Sequence, residues 1–123
     1  MTDNSVDFSL LVGPSVPTRS YAAGDTIFSE GDPATELFVI QKGRVKVMLG
    51  NRQLDEFTDN AIFGEMALIE AKPRSATAIA TTDVTLVPVT EKQFLFLVSN
   101  TPFFALNVMR VMAGRLRVTN RAL

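Results

Sequence analysis

Between residues 26 and 89 apolar and polar positions alternate in short runs. Runs at 26–28, 36–41, 44–49, 53–57, 74–80 and 84–89 are separated by turn residues: Glu30-Gly31-Asp32-Pro33, Lys42-Gly43, Gly50-Asn51 and Thr58-Asp59-Asn60. Short strands at about ten-residue spacing predict a β-sandwich or barrel. After residue 90 the apolar period lengthens to that of a helix. Thr90 with Gln93 fits a capping box, opening a helix of about two turns that ends near Asn100. Thr101 as cap and Pro102 at the first helical position open a second helix, predicted to run to about Arg121. Residues 1–20 contain Gly13, Pro14, Pro17 and several serines. They read as a loose lead-in to one domain over 21–123, with the β part at about 21–89 and helices at about 90–121.

The last helix carries two apolar stripes. Phe104, Val108, Val111 and Val118 form one, interrupted by Arg115. Leu106, Met109, Ala113, Leu116, Asn120 and Leu123 form the other, spaced as a heptad seam with Asn120 at an a position. One stripe can pack on the strands. The other is either buried as well or needs a partner. An Asn at an a position is costly unless it meets its equivalent, which points to a homodimer through parallel helices.

Composition narrows the chemistry. The 123 residues are 46% hydrophobic, enough for one globular domain with a real core. Cysteine and histidine are both absent. This excludes disulfides, thiolate metal sites and the Ser-His-Asp triad, and it removes the usual zinc and haem ligands. An enzyme is therefore not expected, and no metal or cofactor is implied. The net charge of −1 is unevenly spread: all 13 acidic residues precede Lys92, while Lys92, Arg110, Arg115, Arg117 and Arg121 follow with no acid among them. The reading adopted is a solvated basic face on the last helix, not a nucleic-acid surface, because no aromatic residues interleave with the basic ones. No apolar run approaches a membrane span, and the N-terminus lacks the basic and apolar regions of a secretion signal. A cytoplasmic protein without membrane insertion is expected.

The informative stretch is residues 63–77, Phe-Gly-Glu-Met-Ala-Leu-Ile-Glu-Ala-Lys-Pro-Arg-Ser-Ala-Thr. Phe63-Gly64 ends a strand and turns the backbone. Residues 65–69 are helix formers, Lys72-Pro73 breaks the helix, and Arg74 opens a strand. Free N–H groups at the start of a short helix, together with one guanidinium folded back towards them, suit a phosphate. A phosphate would repel Glu65, which makes sense beside it only as an acceptor for hydroxyls, as on a ribose. An isolated acid and arginine at this spacing also reads as a plain salt bridge between Glu65 and Arg74 on a turn.

This stretch resembles the phosphate-binding cassette of the cyclic nucleotide-binding domain family, in the form F-G-E-x-A-L-x(4)-P-R-S-A-T. G-D-x-I-F-x-E-G-D from Gly24, followed by E-L-F-V-I-Q-K-G-R-V-K-V from Glu36, is similar to the family's first glycine-punctuated strands. The resemblance covers about residues 20–121. It implies a mainly β fold with flanking helices, an eight-stranded jelly-roll-like β-roll closed by C-terminal lid helices. It implies that Glu65 accepts from the ribose 2′-OH and Arg74 pairs with the cyclic phosphate. Gly64, Met66, Ala67, Ser75 and Ala76 would supply the cradle, with the backbone N–H groups of Ala67 and Ser75 facing the phosphate, and Val47 would lie against the base. Ser75 alone does not separate cAMP from cGMP.

Residues 115–120, Arg-Leu-Arg-Val-Thr-Asn, are similar to the dimer helix of the bacterial catabolite activator branch. By that resemblance Thr119 contacts the adenine amino group and Asn120 reaches the ligand of the other subunit. This leans the ligand to cAMP, with cGMP second. The branch continues into a helix-turn-helix region, whereas this sequence stops at Leu123. The expectation is a stand-alone, non-enzymatic sensor that signals to an unidentified downstream protein. A nucleotide-free interaction module, or the sensor half of a longer transcription regulator, are the alternatives.

Overall fold

The computed structural model describes residues 16–100 and 102–122, the side chains of Ala67 and of residues 116–122 excepted. Eight strands and three helices follow one another: β1 Arg19–Tyr21, β2 Thr26–Phe28, β3 Glu36–Lys42, β4 Val45–Leu49, β5 Arg52–Phe57, β6 Ile62–Phe63, α1 Glu65–Glu70, β7 Thr77–Ala80, β8 Val84–Thr90, α2 Glu91–Asn100 and α3 Pro102–Ala122. The strands form two antiparallel four-stranded sheets, ordered β1-β8-β3-β6 and β2-β7-β4-β5. This is the expected eight-stranded roll with C-terminal helices.

The reason β3 reads as a nearly unbroken apolar run is that both of its faces are covered. Phe38 and Ile40 point into the roll, where they pack with Val45, Phe63, Ala78 and Leu86. Leu37 and Val39 point the other way, onto Leu97, Phe104, Val108 and Val111 of the helices. β8 divides likewise, Val84 and Leu86 inward, Val87 and Val89 beneath the helices. The sheet β1-β8-β3-β6 is therefore the middle layer. β5, on the edge of the other sheet, buries only Phe57.

Three local features differ from the sequence pattern. β1 lies partly inside the expected lead-in, whose first fifteen residues fall outside the described ones; at three residues it is too short to carry a period. β6, only two residues long, is hidden for the same reason. Residues 74–76 do not join β7. They form the turn that leads into it, with Arg74 N donating to Asp32 O at 2.9 Å and Gly31 N donating to Arg74 O at 2.8 Å.

The capping box at the start of α2 is present in both directions. Gln93 N donates to Thr90 Oγ1 at 3.2 Å, and Thr90 N donates to Gln93 Oε1 at 2.8 Å. Thr101, expected to cap α3, lies outside the described residues. Phe104, Val108 and Val111 bury their stripe against the middle sheet, with Phe94 edge-on to Phe104 at 5.9 Å between ring centroids. On the second stripe Met109 is 60% exposed and Leu106 also reaches solvent; Leu116, Asn120 and Leu123 lie outside the described side chains. No single helix among the described residues is long and apolar enough to cross a membrane.

Neighbouring phenylalanines test which face of α3 holds the domain. Phe104→Ala should cost about 3–5 kcal/mol in urea unfolding, the usual penalty for emptying a buried aromatic site. Phe103→Ala, where the ring is 79% exposed, should stay within about 0.5 kcal/mol of wild type. Equal losses would mean that α3 is rotated from this orientation.

Candidate functional site

The site begins at a backbone turn that only glycine makes cheaply. Gly64 joins β6 to α1 at φ +76°, in the left-handed region. A Cβ there would stand 2.8 Å from Nη1 of Arg74 and 3.3 Å from the Phe28 ring. The turn lets Arg74 come within hydrogen-bonding distance of the main chain: Nη1 donates to Gly64 O at 2.8 Å. Nη2 donates to Glu36 O at 2.6 Å, at the start of β3. The guanidinium lies over the Phe28 ring, 4.1 Å from its centroid.

Arg74 is thus almost wholly removed from water, at 5% exposure. Its Nε is buried with no hydrogen-bond acceptor among the described residues. Burial pushes its pKa below the ordinary arginine value, while Glu36, Asp32 and Glu65 pull the other way. Arginine does not shed its proton in a protein, so the cost of the buried charge stays until an anion offsets it.

Glu65, in the first turn of α1, is 4% exposed. It does not pair with Arg74, so the plain salt-bridge reading gives way. Its ion pair is with Arg115 of α3, whose Nη1 lies 2.5 Å from Oε1. Arg115 Nη2 donates to Ile62 O at 2.5 Å, and its guanidinium lies 4.4 Å from the centroid of the Phe57 ring. In the sequence Arg115 interrupts the apolar stripe and belongs to the expected solvated basic face; the structure places it instead against the buried Glu65. The spacing held the signal: Arg115 continues the 104-108-111 progression, so it faces inward and carries its charge to Glu65.

Between these charges lies a cavity of about 310 Å³, near the lower end of the roughly 300–1,000 Å³ usual for small-molecule sites. Gly64, Glu65, Met66, Arg74, Ser75, Ala76 and Val47, all expected at the site, line it. Phe28, Leu54, Asp55, Phe57, Phe63 and Arg115 line it too and were not foreseen. Phe28, Phe57 and Phe63 give it an aromatic floor, Phe38 packs behind Phe28 and Phe63, and the neighbouring rings lie 5.4–6.5 Å apart between centroids. Ala67 contributes its backbone to α1, and its side chain lies outside the described set. So do the side chains of Thr119 and Asn120, whose backbone belongs to α3.

A buried glutamate at the start of α1 and a buried arginine in the segment before β7 thus line one small cavity of the β-roll. The sequence profile of the Cyclic nucleotide-binding domain matches residues 18–101, and the chain belongs to that family of regulatory sensor domains. It is 34% identical over 104 residues to a cyclic AMP receptor protein of Thermus thermophilus, covering 80% of this chain and 48% of that one. It is 39% identical over 87 residues to a cyclic nucleotide-gated potassium channel of Mesorhizobium japonicum, covering 71% of this chain and 24% of the channel. Among solved structures, the Thermus thermophilus catabolite activator protein superposes with a TM-score of 0.77 at 32% identity, covering 86% of this chain and 52% of that one. The chain spans half or less of the length of these curated relatives.

Three substitutions test the geometry without any ligand. Gly64→Ala should destabilise the fold by about 1–3 kcal/mol, because a left-handed backbone and a close contact coincide there. Arg115→Met should cost roughly 3–5 kcal/mol by stranding Glu65. Adding Glu65→Gln should restore part of that loss, and strict additivity of the two changes in chemical denaturation would refute the pairing.

Proposed function

We propose that this chain binds a cyclic mononucleotide, cAMP in preference to cGMP, as a non-enzymatic sensor. The observation that carries the reading is the buried Arg74, whose Nε has no acceptor among the described residues and which lines a cavity that also holds the buried Glu65. A cyclic phosphate supplies the missing acceptor and the compensating charge. The N–H groups of Ala67 and Ser75 complete the cradle. Glu65 accepts from the ribose 2′-OH, and the base lies along Val47. The preference for cAMP is supported by the relation to a cyclic AMP receptor protein and by Thr119, which stands where the family resemblance puts an adenine contact. A cytoplasmic setting agrees with a chain that has no cysteine.

The ribose hydroxyl and Arg115 address the same carboxylate. Ligand binding at Glu65 therefore bears directly on α3, and the shift in helix position cannot exceed the ligand's differential affinity for the two arrangements. The output passes through α3 to a downstream protein, or to a second copy of the chain along the seam that includes Leu106, Met109 and Asn120. As the sensor half of a longer regulator, the domain would use the same contacts.

Isothermal titration calorimetry with cAMP, cGMP and 5′-AMP tests the assignment. Cyclic nucleotide should bind, 5′-AMP should bind far more weakly, and Arg74→Ala should lose about tenfold or more, the worth of one charge-assisted contact. Unchanged affinity in Arg74→Ala would sink the assignment. No heat from folded wild type would favour a nucleotide-free interaction module. For the seam, sedimentation velocity with cAMP should show a dimer that Asn120→Leu alters in stability or stoichiometry; a monomer in both proteins would remove it.

A further inference from the structure

Asp55 is an acid on the inner face of the roll. Residues directly opposed across an antiparallel pair project to the same face. In β4 and β5 the opposed pairs are Val45 with Phe57 and Val47 with Asp55. Val45 and Phe57 are buried in the core inside the roll, so Asp55 shares their face, one step nearer the open end. It lines the cavity there beside Val47. The register shifts at this point: Asp55 opposes Val47, but Gln53 opposes Met48, leaving Leu54 as an extra residue. A bulge of this kind re-aims side chains at the rim of a roll. Oδ1 of Asp55 accepts from the N–H of Glu56 at 2.8 Å, which fixes the orientation of the carboxylate.

A carboxylate only accepts hydrogen bonds. A cyclic phosphate would be repelled by it, and the ribose hydroxyl already has Glu65. The donor that remains on a nucleotide is on the base. We propose that Asp55 recognises the base, accepting a hydrogen bond from one of the two N–H bonds of an exocyclic amino group of the purine, the other remaining for Thr119 when the base is adenine. Adenine carries this group at N6 and guanine at N2. This rests on the cyclic-nucleotide reading and extends it to base selection. A purine that presents a carbonyl oxygen instead would set acceptor against acceptor, and the site would reject it.

The test compares cAMP and cGMP with cyclic inosine monophosphate, which has neither amino group, by calorimetry on the full chain. Wild type should bind the better of the first two about tenfold or more tightly than the inosine nucleotide, the scale of a hydrogen bond to a charged group. Asp55→Ala should bring the two affinities to within about threefold of each other. Asp55→Asn, whose amide can donate, should improve binding of the inosine nucleotide. The nucleotide that loses affinity in Asp55→Ala identifies the group read, N6 for cAMP or N2 for cGMP. A purely structural Asp55, one that only balances the positive charge of Arg115, would move all three affinities together and leave their ratios intact. An unchanged ratio in Asp55→Ala, or no discrimination in wild type, overturns the proposal while the site reading stands. No binding of any cyclic nucleotide by folded wild type overturns both.

Discussion

A guanidinium taken out of water must be held on every side, and around Arg74 most of the site is arranged to do that. Two backbone carbonyls, Gly64 O and Glu36 O, accept its terminal N–H groups, and the Phe28 ring covers one face. These three groups come from the turn before α1, the first residue of β3 and the last residue of β2. The left-handed Gly64, the loop that bonds Gly31 and Asp32 to the Arg74 backbone, and the stacked phenylalanines all follow from placing one charge there. Such a cation costs stability unless its whole hydrogen-bonding capacity is met. Each terminal nitrogen has one carbonyl acceptor, and Nε has none among the described residues. The arrangement is tight in geometry and incomplete in charge, a combination that suits an anion.

The opposite wall uses the reverse logic. Glu65 is also buried, but its charge is met within the chain, by a side chain fifty residues away in sequence. A group that already has a partner can report on a ligand, because anything that donates to it must share or replace that partner. On the proposed reading Arg74 supplies the attraction for a ligand and Glu65 its connection to α3. The aromatic floor excludes water beneath both, which strengthens each interaction relative to its value at the surface.

Much of this was legible in the sequence, for identifiable reasons. The strands that carry a full alternation, and the capping box at Thr90, declare themselves through periods and spacings that local physics enforces. The cassette at 63–77 declares itself because a glycine, an acid, a helix breaker and an arginine each have a narrow conformational use. β1 and β6 did not show, since two or three residues cannot display a period. Arg115 was visible as a charge but not as a site residue. Its spacing placed it on the inward face, but the partner it meets there depends on where the helix axis falls relative to a turn fifty residues earlier, and no local rule carries that. Asp55 was hidden for a similar reason: the bulge at Leu54 that sets its face exists only once β4 and β5 are in register.

The spacing of α3 has a mechanical consequence. Phe104, Val108 and Val111 anchor the first half of the helix in the core, and Arg115 ties it to Glu65 at the next inward position. From Arg115 to Ala122 the helix runs on for roughly 10 Å at 1.5 Å per residue. The anchored part is thus a fulcrum, the ion pair a latch close to it, and the last two turns an arm. With Val111 as the last anchored point, a shift of about 1 Å at the latch, roughly 6 Å further along, corresponds to about 3 Å at Ala122, roughly 16 Å along the helix at 1.5 Å per residue, so on the proposed reading an exchange of partners at one carboxylate is enlarged at the helix end.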